Sequence, residues 1–110
     1  MDSAQRDLLL SIAYLYTCRD RAWRALPLLL LVTAESPDDC VCLRLLAHVY
    51  TTIGRAELAL IVLDRIDRMP DMKQPGDLLM RARAVHGLGR IHEARKCFLA
   101  YIQSAGVQPS

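Results

Sequence analysis

Cys40, Cys42 and His48 are the closest this chain comes to a metal-ligand pattern, because thiolates and imidazoles are the donors that zinc takes. On a helix, however, residues two apart point about 160° from one another, so Cys40 and Cys42 do not share a face. Arg44 and Arg83 are cations that could meet a peptide carboxylate, though such a clamp needs several converging charges. His48, His86 and His92 have no serine or cysteine partner whose adjacency the helical register predicts. The sequence contains no glycine-rich phosphate loop and no paired-carboxylate motif. These residues therefore point to no catalytic centre, no metal site and no cofactor, and to a protein that acts by binding.

A binding surface needs elements to carry it. With 110 residues the chain makes one domain, 1–110, with a modest core. Hydrophobic residues are 53% of it and the mean hydropathy is +0.16, so a fold of this size leaves some apolar surface for a partner. The net charge is +2 with acids and bases interspersed, which gives no reason to expect nucleic acid or an anionic membrane. Asp2 and Asp7 stand where a secretory signal carries a basic cluster, so the apolar run that follows reads as a helix of the fold. The run from Ala25 to Val32 falls short of the roughly 20 apolar residues that a membrane span requires. The chain is accordingly expected in the cytoplasm, with Cys18, Cys40, Cys42 and Cys97 as free, small thiols.

Apolar residues at three-and-four spacing predict six helices. The first covers about 3–18 with Ser3 as its cap, and the second about 21–35. Asp38 or Asp39 caps the third, which runs to 53; the fourth covers 55–68. The fifth starts near Pro75 and ends before Gly89. The sixth runs to about Ser104, with Gly106 and Pro109 in a frayed tail. The segment from Asp71 to Gly76 is the longest connection and the expected hinge.

The helices repeat. Ala13 and Ala25 lie 34 residues before Ala47 and Ala59, and Ala82 and Ala94 lie 35 after them. Leu9, Ile12, Tyr16, Leu29 and Val32 keep the 34-residue step to Leu43, Leu46, Tyr50, Leu63 and Ile66, and Gly89 follows Gly54 by 35. Small residues on both helices let two backbones approach, with larger ones filling the space around the contact. A 34-residue unit with this pattern, a turn glycine and a closing proline such as Pro37 resembles the tetratricopeptide repeat. The resemblance implies an all-α fold of three tandem helical hairpins, at about 6–39, 40–73 and 75–108, forming a short right-handed solenoid. Three features depart from the pattern. Pro27 falls inside the second helix, where a kink or a later start is expected. Arg81 stands where the earlier units have Ile12 and Leu46, so it is expected to reach outward or loosen the third unit. No polar capping helix follows the sixth, so an end of the stack is open to another chain.

The repeat resemblance also implies a concave groove formed by the first helix of each hairpin. Its lining here would be Leu10, Tyr14 and Thr17, then Val41, Arg44, Leu45 and His48, then Leu79, Met80, Arg83 and His86. A mostly apolar floor suits an amphipathic helix better than a carboxylate tail. A second candidate surface is the leucine run of the second helix. There Leu29 and Val32 point into the core, whereas Leu28, Leu30 and Leu31 fall on faces such repeats usually expose.

The leading apolar helix ending near Cys18, the Arg-Ala before a leucine-rich second helix, Ser36-Pro37-Asp38-Asp39 and Leu43-Arg44-Leu45-Leu46-Ala47 together resemble a family of small bacterial chaperones. These are the Y-type chaperones of the type III secretion export apparatus, the YscY or SctY class. That resemblance implies a cytosolic protein holding a small secreted helical partner, the X-type early export substrate, as a heterodimer. It also implies docking of the pair on the cytosolic domain of the export-gate protein.

Overall fold

Six α-helices make up the described part, residues 1–106, of the computed structural model. They are α1 Ser3–Cys18, α2 Ala22–Glu35, α3 Cys40–Thr52, α4 Ala56–Asp67, α5 Pro75–Gly87 and α6 Ile91–Ser104, and no strand occurs among the described residues. Pro109, expected in a frayed tail, lies outside them, as do the last residues of the third repeat.

The starts of the odd helices are fixed by side chains. Asp2, rather than Ser3, caps α1, because Asp2 is the residue whose backbone is still extended. Its carboxylate accepts from the Gln5 N–H at 2.8 Å while the Gln5 side chain accepts from the Asp2 N–H at 3.0 Å. Asp39 caps α3 by accepting from the Cys42 N–H at 3.2 Å. At α5, Pro75 sits in the first turn, where its missing N–H costs nothing, and the Asp77 carboxylate accepts from the Gln74 N–H at 3.1 Å.

The even helices start differently, from one turn used three times. Gly54 and Gly89 take φ of +84° and +79°, and Asp20, 34 residues before Gly54, takes the same left-handed conformation at +58°. After each, an arginine N–H reaches back five residues to close the preceding helix: Arg21 to the Tyr16 carbonyl at 2.9 Å, Arg55 to Tyr50 at 2.7 Å, Arg90 to Val85 at 3.2 Å. Asp20 is thus the counterpart of the two turn glycines, a match hidden from the sequence by the change of residue type.

Helices consecutive in the chain pack together, α1 with α2, α3 with α4, and α5 with α6; α2 also meets α3, α4 meets α5, and α3 touches both α1 and α5. Ala13, Ala25, Ala47 and Ala59 are fully buried, and Leu29, Val32, Leu46, Leu63 and Ile66 fill the core around them. Burying each such aliphatic side chain is worth about 1.5–3 kcal/mol. The third helix pair is thinner. On α6 only Ala94 is buried, while Phe98 and Leu99 stay nearly half exposed.

The two sequence irregularities are absorbed without breaking an element. α2 begins at Ala22 and continues past Pro27, leaving the Trp23 carbonyl without its usual donor, since proline has no N–H. Arg81 does not reach into solvent. Its guanidinium bridges Asp64 at 2.9 Å and Asp67 at 2.8 Å, tying α5 to the end of α4.

Candidate functional site

α1 and α3 lie side by side because Arg6 on the first forks onto the Asp39 cap of the second, at 2.7 and 2.9 Å. Between them run two adjoining depressions. One, of about 650 Å³, is lined by Tyr14, Thr17, Val41, Arg44, Leu45 and His48, with Met80 of α5 closing it. The other, of about 530 Å³, continues along α1 past Leu10 and Leu15 and shares Tyr14, Val41 and Leu45 with the first. Tyr14 is 56% exposed and Val41 53%, so the shared wall presents apolar surface to solvent rather than to the core.

The residues expected along this groove do not all behave alike. Tyr14, Val41, Leu45, His48 and Met80 converge on it. Leu10 touches it only at an edge, being 6% exposed and packed into the main core. Leu79 and His86 line neither depression. Arg83 reaches across to His48, its Nη1 standing 3.3 Å from the imidazole Nδ1. Leu28 of the second candidate surface is half-buried against the core, whereas Leu30 and Leu31 are exposed on α2.

Arg44 is not available to a ligand carboxylate. Its guanidinium donates to both oxygens of Asp77, at 2.9 and 3.2 Å, and to the Met72 carbonyl. The Asp77 carboxylate holds the arginine pKa above its ordinary value. His48 is shifted the other way. Burial, and next the positive charge of Arg83, push its imidazole below the usual range, so at neutral pH it is an uncharged wall of the groove. Asp77 escaped the sequence reading, yet a signal was there: Arg44 precedes it by 33 residues, the same separation as Arg6 from Asp39.

The thiols that suggested a metal serve as small packing groups. Cys42 is fully buried, its sulfur 3.3 Å from both the Thr33 hydroxyl and the Leu29 carbonyl, and burial raises its pKa so that it stays protonated. Cys40 points elsewhere, toward the Met69 sulfur at 3.4 Å. Among the described residues no group of three or more His, Cys, Asp or Glu side chains is placed to hold a metal ion. What the groove can do is bury an apolar side chain or helix face, with tyrosine, threonine and imidazole edges as polar contacts. Among the described residues no helix is long and apolar enough to cross a membrane. No protein-family model, curated protein or solved structure matches the chain.

Proposed function

We propose that this chain is a small helical-repeat chaperone that holds an amphipathic helix of a partner protein in the groove between α1 and α3. The observation that carries the reading is the groove's chemistry: Tyr14, Val41, Leu45 and Met80 form its walls, while Arg44 is already neutralised by Asp77. A clamp for a free carboxylate would need unpaired cations there, and the arginine in its wall is taken. Apolar walls of this kind hold a partner by removing its apolar area from water, about 25 cal/mol per Å².

The repeated turn at Asp20, Gly54 and Gly89 and the helix pairing support three tetratricopeptide-like hairpins stacked as a short right-handed solenoid. On that frame, likeness to the Y-type secretion chaperones makes the partner an X-type early export substrate. The chain would act in the cytoplasm, covering substrate surface that aggregates when free and presenting the pair to the export gate.

The test is co-expression with the neighbouring reading frames, followed by affinity capture and mass spectrometry. A small secreted helical protein at one-to-one supports the chaperone reading. If that protein is a needle subunit, the chain is the needle-subunit chaperone instead. Elution with no second protein sinks both.

A further inference from the structure

Trp23, Pro27, Leu30, Leu31 and Ala34 all lie exposed on α2. At 3.6 residues per turn they fall within an arc of about 100°, a continuous apolar stripe facing away from the core. Trp23 is 59% exposed, Leu30 44% and Leu31 55%.

The fold does not require this stripe. The positions 34 residues on, in α4, carry Glu57, Ile61, Asp64, Arg65 and Arg68. The corresponding ones in α6 are His92, Lys96, Leu99, Ala100 and Gln103. The same helix face therefore carries charged or polar residues at most positions in the other two units, and is continuously apolar in the first alone.

We infer that the stripe is the contact by which two copies of this chain pair, α2 against α2 of the second copy, antiparallel about a two-fold axis. The charges flanking it select that occupant. Arg24, whose guanidinium lies 5.0 Å from the Trp23 ring centre, and Glu35, 53% exposed with one oxygen 2.8 Å from the Met1 amino group, are eleven residues apart. Eleven residues is about three turns, so both stand on the same flank of the stripe, one near each end of the helix. In an antiparallel pair each flank meets its own counterpart in reverse. Arg24 of one copy then meets Glu35 of the other, twice, with no like charges opposed. A parallel two-fold pairing would set this flank against the opposite one and leave Arg24 and Glu35 without each other.

Pairing through α2 leaves the groove between α1 and α3 open in each copy, so the inference does not depend on what the groove binds. A single pair of helices is at the small end of protein interfaces, and the dimer dissociates on dilution.

Sedimentation velocity of the full chain from low to high micromolar concentration reads the association, and Trp23, the chain's one tryptophan, reports it independently through a blue-shifted emission as concentration rises. Leu30→Glu is expected to remain helical by circular dichroism and monomeric throughout. Arg24→Glu and Glu35→Arg are each expected to lose the dimer, and the double variant to regain it. A chain that stays monomeric at every concentration overturns the inference, as does a dimer that survives Leu30→Glu. Failure of the double variant to restore pairing lost in two well-folded single variants overturns the antiparallel arrangement. Capture of a partner protein through the groove is unaffected by Leu30→Glu, so loss of the dimer and loss of chaperone binding are separable.

Discussion

Arg44 and Asp77 join α3 to α5 through a two-pronged ion pair, with side chains only 23% and 11% exposed. Such a pair is costly to break from one side, because the remaining charge keeps its desolvation without its partner. Asp77→Ala also frees the Gln74 N–H at the start of α5. The expected loss is about 2–3 kcal/mol, read from urea midpoints at unchanged slope. A loss under about 0.5 kcal/mol would show the pair to be screened by solvent, as surface pairs are. Arg44→Lys is not a rescue, since an ammonium cannot span both carboxylate oxygens.

Asp39 gives the pH dependence. The hydrogen bond from Arg6 outweighs burial and holds its carboxyl below the ordinary carboxylate range. The unfolded chain then binds the proton more readily than the folded one. The stabilisation is complete above the unfolded value of about 3.9 and is lost as pH falls through the lower folded value. Asp39→Asn keeps a cap for the Cys42 N–H but not the charge. It should cost about 1 kcal/mol at pH 7, and the gap to wild type should be smaller at about pH 3 than at pH 7 in matched urea titrations. A gap that is equal at both pH values would mean the charge contributes nothing.

Asp20 pays for the left-handed turn that Gly54 and Gly89 make freely. An L-residue there is strained by roughly 1 kcal/mol, less for aspartate than for most. Asp20→Gly is therefore expected to raise stability by about 0.5–1 kcal/mol, and Gly54→Ala to lower it by about 1 kcal/mol. Thermal unfolding of the two variants beside wild type checks both signs.

The faces of these helices are legible in the sequence, and the ion pairs that join one helix to another are not. Ala13, Ala25, Ala47 and Ala59 are at 0% exposure because a 34-residue step of small residues records which face each helix turns to its neighbour. Periodicity says nothing of how far one helix slides along another. The Arg6–Asp39, Arg44–Asp77 and Arg81–Asp64 contacts all depend on that offset. For the same reason Leu10, expected as groove lining, lies mostly in the core at 6% exposure and meets the groove only at its edge. Sequence alone does not separate Asp2 from Ser3 as the cap of α1, because both residue types cap helices and only the backbone decides between them.

Leu45 is the sharpest probe of the groove. It lines both depressions and is only partly buried, so a carboxylate there can remain hydrated in the free protein but not beneath an apolar helix. Leu45→Glu is expected to weaken capture of the co-purifying partner at least ~100-fold, as burying an unpaired charge costs several kcal/mol, while leaving the helical circular dichroism unchanged. His48 adds a pH signature. Covering it with an apolar partner further opposes protonation, so capture should weaken as pH falls through the free protein's own, already lowered His48 value, and His48→Gln should flatten that dependence. Intact capture by Leu45→Glu, with no pH dependence in wild type, would place the partner on another surface.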